Sequence, residues 1–405
     1  MKPSPASPNP PPVLQGLRIL SVEQYGAGPF GTQYLADLGA EVIKIENRKD
    51  GGDVGRMVGP HFFGPADSHF YQSFSRNKKS LTLDLKHPEG QKVLHQLARD
   101  ADVVFNNLRG DLPAKLGLTY TQLGLVKPSL VCAHLSAYGR TGSRANWPGY
   151  DYLMQAEAGY LSLTGEPDGP PSRAGLSIVD YMTGTTAALA MLAGVLSARK
   201  TGKGRDVDVS LYSVAMYNLA YLATWYLNKG VVTGRQARSG HPSLVPSELY
   251  RTQDGWMFVM CNKEKFWGVL VDLLSKPEWN TDPDFATFAK RLENRERVTQ
   301  MLDGVLMQRT TADWMTLFAG KVPASPVYDI AQALENPYLA EREALADYLY
   351  PDGRSARMVA GPIRVAGVSL PHVAAPAMGA DTDAMLLDAG YSVDQIDVLR
   401  QAGVI

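Results

Sequence analysis

The sequence predicts an α/β protein with a parallel sheet in its first half and a smaller α+β unit after it. Short apolar runs alternate with helix-like stretches from Leu17 to Asn228, the pattern of βαβ units. The alternation stops at a Gly- and Pro-punctuated segment, 229–247 (KGVVTGRQARSGHPSLVPS), beyond which a hairpin and several helices follow. The chain has 405 residues, more than one ordinary core accommodates, so two domains are expected.

Taken in order, the Pro-rich start, 1–13, is expected to be a disordered lead-in. A first domain, 14–228, begins with a strand over Leu17–Val22. Gly26-Ala27-Gly28-Pro29-Phe30-Gly31 leads into a helix over Thr32–Leu38, ended by Gly39, and Glu41–Glu46 is the next strand. The glycines match G-x-G-x-x-G, with Glu46 about 20 residues on, the outline of a dinucleotide-binding fingerprint. Pro29 at the helix opening and the bulky Tyr25 and Phe30 oppose that reading. The alternative is a tight strand-to-helix turn needing glycine for its backbone angles. Residues 50–75 read as loop. Strand Leu81–Leu85, helix Pro88–Ala98, strand Asp102–Phe105 and strand Ser129–Ser136 follow. Asp151 opens a helical pattern, and Glu166–Pro171 is a turn. Leu176–Val179 reads as a short apolar strand delivering Asp180 to a long small-residue helix, Met182–Arg199. Thr201–Arg205 turns into strand Asp206–Leu211, then helix Tyr212–Asn228. After the linker 229–247 comes the smaller domain, 248–326. Its hairpin is Glu248–Thr252 with Trp256–Cys261, and its helices lie near Lys263–Leu274, Arg295–Met307 and Thr311–Ala319. The remainder, 327–405, is expected to return to the large domain, with a hairpin at Pro351-Asp352-Gly353 and a helix over Thr382–Ala389.

Composition narrows the function. A formal net charge of −1 gives no field for nucleic acid or an anionic membrane. Cys132 and Cys261 cannot build a disulfide framework or a multi-cysteine metal site. The histidines are scattered without metal spacing, so no metal is expected; only His241, in the Gly/Pro loop, stands out. Neither a G-x-S-x-G elbow nor a Walker A sequence is present. No apolar run reaches the roughly 20 residues of a spanning helix, and the N-terminus lacks the apolar core of a signal peptide. A cytoplasmic protein is expected.

Two kinds of residue carry candidate chemistry. Arg76, Lys78, Lys79, Lys86, Arg109 and Lys115 recur near strand ends, where open α/β sheets bind ligands. They suit a phosphorylated ligand, although each is also ordinary solvated surface. Asp180 precedes a helix, where aspartate is a good N-cap. A carboxylate held there also stays ionised and can act as a covalent nucleophile.

Several motifs in order are similar to those of CoA-transferase family III, the formyl-CoA and carnitine CoA-transferase group. They are Gln24-Tyr-Gly-Ala-Gly-Pro-Phe, Leu35-Ala-Asp-Leu-Gly-Ala-Glu-Val-Ile-Lys-Ile-Glu46, Arg76-Asn-Lys-Lys-Ser-Leu-Thr-Leu-Asp-Leu-Lys86 and Pro148-Gly-Tyr-Asp151. Thr164-Gly-Glu-Pro-Asp-Gly-Pro-Pro171, Thr201-Gly-Lys-Gly-Arg and the final Gly-Val-Ile complete the set, so the resemblance runs from about residue 14 to 405.

The resemblance implies CoA transfer from an acyl-CoA to a carboxylic acid, with Asp180 as nucleophile and Gln24, Tyr150 and Asp151 around it. Asp180 would attack the thioester and pass through an aspartyl-CoA thioester. CoA contacts would fall on Ala27, Arg48, Leu83, Lys86, Asn107, Leu108, Arg109 and Lys115. Coenzyme A and acyl-CoA are then substrates, and no permanently bound cofactor is implied. The superfamily's α-methylacyl-CoA racemases, the alternative activity, carry histidine where Tyr150 stands. A phenol with an ordinary pKa of about 10 is a poor base at neutral pH. Arg140, Arg144 and Arg173 could meet a second carboxylate, which favours a small dicarboxylate. Ser239-Gly-His-Pro-Ser stands in the region of the family's glycine loop. The implied fold is an interlocked homodimer whose large, Rossmann-like domain combines both chain ends.

Overall fold

The structure, a computed structural model, describes residues 10–405; positions 1–9 of the expected lead-in lie outside the described residues. The chain divides into two compact units. The larger takes the described residues up to Ala158, Gly175–Ala220 and Tyr338–Ile405. The smaller takes Gly159–Ala174 and Tyr221–Pro337. Residues 159–174, assigned by sequence to the first domain, therefore cluster with the second.

The larger unit is built on a six-stranded sheet. In chain order its strands are β1 (Arg18–Val22), β2 (Glu41–Glu46), β3 (Lys79–Thr82), β4 (Val103–Asn106), β5 (Val131–Ser136) and β6 (Arg205–Ser210). They lie in the order β3-β2-β1-β4-β5-β6, every pair parallel. Parallel strands are covered on both faces, which is why β4 (VVFN) and β5 (VCAHLS) are buried throughout. The order reverses between β1 and β4, and a doubly wound sheet opens a ligand crevice at the carboxyl ends there.

The helix α1 (Ala27–Asp37) follows β1 directly, and the 24-residue α5 (Ile178–Thr201) packs against it. Between them lie α2 (His69–Ser75), α3 (Pro88–Ala98) and α4 (Asp151–Glu157). The glycines of the G-x-G-x-x-G run are inside or at the start of α1. None of them takes a positive φ; Tyr25 does, at φ 66. Their role is space, not backbone angle, which corrects the sequence reading. A Cβ on Gly31 would lie 2.4 Å from the Gly184 carbonyl oxygen, and one on Gly184 would lie 2.5 Å from that of Ala27. The α1–α5 crossing is backbone against backbone at this point.

The start of α5 also differs from expectation. Leu176–Val179 is not a strand. The helix begins at Ile178 with Ser177 in the cap position, so Asp180 is not an N-cap but sits within the first turn. By length and composition alone this helix could cross a membrane, but half of its apolar stretch is buried inside the unit. Gly184, Ala187, Ala188, Met191 and Val195 form the packed side.

The expected loop 50–75 contains α2. Ser68 Oγ accepts from Tyr71 N at 2.9 Å, and Tyr71 is 1% exposed. The expected helix 212–228 is in two pieces, α6 (Leu211–Tyr217) and α7 (Ala220–Lys229), broken where Ala220 takes φ 47. In the smaller unit, β7 (Ser247–Arg251) and β9 (Ala324–Pro326) flank β8 (Trp256–Met260) antiparallel. The helices α8 (Glu264–Leu273), α9 (Arg295–Leu306) and α10 (Thr311–Phe318) bury Trp267, Leu270, Leu302, Trp314 and Phe318. Back in the larger unit, a hairpin pairs β10 (Leu345–Leu349) with β11 (Ser355–Val359). Then α11 (Thr382–Asp388) and α12 (Val393–Gln401), the latter unexpected, pack into the core under β3. Asp84 N donates to Val404 O at 2.7 Å, and Thr82 N donates to Thr382 Oγ1 at 3.0 Å.

Candidate active site

The carboxyl ends of β1, β4 and β5 and the first turns of α1, α4 and α5 surround one cavity of about 230 Å³. Gln24, Tyr25, Gly26, Asn107, Tyr150 and Asp180 line it, with Leu135, Ala137, Trp147 and Leu211 as its apolar wall. Asp180 is only 7% exposed, yet it faces this space.

Two close neighbours define the surroundings of Asp180. Gly26 lies so near that a Cβ there would stand 2.6 Å from Asp180 Oδ2. Asp151 Oδ2 accepts from the Asp180 backbone N–H at 2.9 Å, which brings a second carboxylate alongside. Asp151 is itself oriented by Gln155, whose Nε2 donates to Asp151 Oδ1 at 2.5 Å and to Leu176 O at 3.2 Å. Among the described residues nothing donates to the Asp180 carboxylate. Burial and, secondarily, the neighbouring Asp151 charge push its pKa up to about 7. Beside it, α1 opens at Ala27 with Gly26 in the cap position and no side-chain cap. The first amides of that helix are thus donors without intrahelical partners.

A larger cavity, about 420 Å³, adjoins the first along the ends of β1–β4. The two share Gln24, Leu108 and Leu112. Leu83, Lys86, Leu108 and Lys115 line this second space, together with Ile45, Asn47 and Asp84. Arg109 and Ala27 line the first cavity instead. Arg48 is exposed in the short turn Arg48–Asp50, outside both linings. Lys86 has no acidic partner among the described residues, whereas Lys115 and Arg109 both engage Asp111, at 2.7 and 2.6 Å.

Most other cations named from the sequence already have acidic partners. Lys78 is fully buried, donating to Glu23 Oε1 at 2.7 Å, Thr32 Oγ1 at 2.8 Å and Pro29 O at 2.9 Å. Arg76 pairs with Asp37 at 2.8 Å, and Lys79 with Glu41 at 2.6 Å. Arg140 is held by Asp208 and Asp206, and Arg144 by Glu157, so neither presents an open guanidinium. Arg173 belongs to the smaller unit. His241 lies in that unit too, its Nδ1 accepting from Ser243 N at 3.1 Å. Among the described residues no His, Cys, Asp and Glu cluster has the makeup of a metal site.

Sequence reasoning missed Gln155, Asp53 and the steric role of Gly26. Gln155 and Asp151 are one helical turn apart, a spacing that pairs an amide with a carboxylate. Asp53, which accepts from Tyr25 N at 2.9 Å and from Lys44 Nζ at 2.5 Å, had no such signal, because Lys44 lies on a strand.

The sequence matches CoA-transferase family III across residues 14–382. The chain belongs to CoA-transferase family III. Within the family it is 34% identical to the succinate–glutarate CoA-transferase of Agrobacterium fabrum, over 88% of this chain and 90% of that protein. It is 32% identical to the acetyl-CoA:oxalate CoA-transferase of Acetobacter aceti, over 91% and 92%. The crystal structure of a CAIB/BAIF family protein from Brucella suis superposes with a TM-score of 0.81 at 30% identity, covering 94% of this chain and all of that one. The parallel six-stranded sheet is thus a family III architecture, and in this chain the G-x-G-x-x-G run opens α1 beside Asp180.

Proposed function

We propose that this enzyme moves CoA from an acyl-CoA to a small dicarboxylic acid and that Asp180 is its nucleophile. The observation that carries this is the Asp180 carboxylate, unbonded and pressed against Gly26, facing a small cavity that adjoins a groove bearing Lys86 and Lys115. An Asp180 oxygen attacks the thioester carbonyl, the C–S bond breaks, and a mixed anhydride and CoA thiolate form. The thiolate then attacks the aspartyl carbonyl and expels the donor acid, leaving an aspartyl-CoA thioester. The acceptor carboxylate takes the same path in reverse. One thioester replaces another, so no outside drive is needed. The uncapped amides at the start of α1 suit the oxyanions that form. The apolar wall limits water, which would hydrolyse the anhydrides. Glutarate and oxalate in the names of the relatives support a dicarboxylate. Tyr150 and Asp151 act as pocket wall and orienting group, and Gln24, whose side chain has no partner among the described residues, faces both spaces. Proton-abstracting racemisation is not favoured, because no histidine stands beside Asp151. An interlocked homodimer belongs to this reading; Leu189, Leu196 and Tyr217, 68%, 73% and 86% exposed, support an interface on the larger unit.

The test is chemical trapping. Incubation with acyl-CoA and hydroxylamine should convert Asp180 to a hydroxamate, read by peptide mass spectrometry. Label elsewhere, or none, overturns the assignment. Replacing Lys86 by alanine should raise the KM for acyl-CoA roughly 5- to 10-fold with kcat nearly unchanged, as for one lost phosphate pairing.

The pH dependence has a definite sign. Only the ionised carboxylate attacks, and with a pKa of about 7 roughly one tenth is ionised at pH 6. The kcat/KM for acyl-CoA should therefore climb through about pH 7. Asp151→Asn removes the like charge and should move that midpoint down, measured as a pH–rate profile.

A further inference from the structure

Asn107, which the family resemblance places among CoA contacts, has both ends of its side-chain amide engaged by the protein. Its Oδ1 accepts from Gln24 N at 2.9 Å, and its Nδ2 donates to Gln24 O at 2.8 Å. Both ends of the amide thus grip the backbone of one residue. The next residue, Tyr25, is held from the other side, where Asp53 Oδ1 accepts its N–H at 2.9 Å. Asp53 is itself buried, bound by Gly55 N at 2.7 Å and by Lys44 Nζ at 2.5 Å. Between these clamps Tyr25 takes φ 66, which a bulky residue adopts only under restraint. Directly after it comes Gly26, against the Asp180 carboxylate. Gly28 completes the seat, because a Cβ there would stand 2.6 Å from Asn107 Cγ.

We infer that Asn107 is a positioning residue. With Asp53 it clamps Gln24–Tyr25 in a strained backbone and so sets Gly26 and the first turn of α1 against Asp180. Its contribution to the reaction is alignment, not CoA affinity. The inference rests on the reading of Asp180 as the nucleophile.

The experiment compares wild type, Asn107→Ala and Gly28→Ala. Each is measured for kcat, KM for acyl-CoA, rate of hydroxylamine trapping at Asp180, and thermal melting. Asn107→Ala removes the clamp; Gly28→Ala displaces it, because its new Cβ would stand 2.6 Å from Asn107 Cγ, and that crowding lowers its melting temperature. Rates are therefore taken per folded molecule, and on that basis both variants should lower kcat and the trapping rate ~10- to 100-fold, the effect of sub-ångström to 1 Å misplacement, with the KM within about twofold. A KM raised tenfold at unchanged kcat would make Asn107 a CoA contact and overturn the inference. So would losses that merely follow the folded fraction. Wild-type enzyme unlabelled at Asp180 overturns the nucleophile reading itself, whereas variants labelled at the wild-type rate overturn the clamp alone.

Discussion

Asp180→Ala should lower CoA exchange by roughly 10⁴-fold or more while CoA binding survives, because the bond-forming atom is gone but the groove at Lys86 and Lys115 is intact. Turnover measured by mass spectrometry of CoA products, together with CoA affinity by calorimetry, checks both halves. Robust exchange in the variant would defeat the nucleophile assignment. Asp180→Asn should also stabilise the fold, with a sign that depends on pH. The folded carboxylate has a pKa of about 7, against an ordinary 3.8. Burial thus penalises the ionised form; the penalty is absent below the unfolded pKa, grows as pH rises, and is complete above the folded one. The amide escapes it. At pH 8 the variant should be more stable by on the order of a few kcal/mol, and near pH 4 the gain should vanish. Melting temperatures at the two pH values decide this.

Gly31→Ala should be among the most damaging single-methyl changes in the molecule, costing about 3 kcal/mol. Its new Cβ would meet the Gly184 carbonyl oxygen at 2.4 Å and backbone cannot move aside, so α1 and α5 must separate. Gly26→Ala places a Cβ at a similar distance, 2.6 Å, but from the tip of the Asp180 side chain. A carboxylate can swing away, so stability should hold within about 1 kcal/mol while kcat falls ~10- to 100-fold through misalignment. Denaturant unfolding and steady-state kinetics on the two variants separate the effects. Equal loss of stability in both would contradict this account.

The sheet was legible because its strands are apolar on both faces and its helices show clear periodicity. Leu17–Val22, Glu41–Glu46, Pro88–Ala98 and Val131–Ser136 all fall within a residue or two of their expected places. Where expectation failed, tertiary packing or local capping decided. Leu176–Val179 has strand composition, but Val179 is drawn into the core as the first turn of α5. The helix His69–Ser75 escaped notice because its stability comes from buried Tyr71 and the Ser68 cap, not from propensity. At the site, Asp180, Gln24 and Tyr150 do converge on one cavity, and Asp151 stands behind Asp180, accepting from its backbone N–H. Charge at a strand end, by contrast, was a poor guide. Arg76 and Lys78 come just before β3, at the amino end of the strand, and buried Asp37 and Glu23 take them. Sequence shows where cations are; only the fold shows which of them are already neutralised.

The return of Tyr338–Ile405 to the larger unit bears on how the molecule assembles during synthesis. The strand β3, which carries the approach to Leu83 and Lys86, is tied to Thr382 across 300 residues of chain. Such distant pairings close slowly. Most of the smaller unit, the continuous stretch Tyr221–Pro337, leaves the ribosome before the segment that completes the larger one. A nascent chain should therefore hold a folded insert while the groove bearing Lys86 is still open-edged, and during that interval the bare flank of β3 is the surface a chaperone would meet.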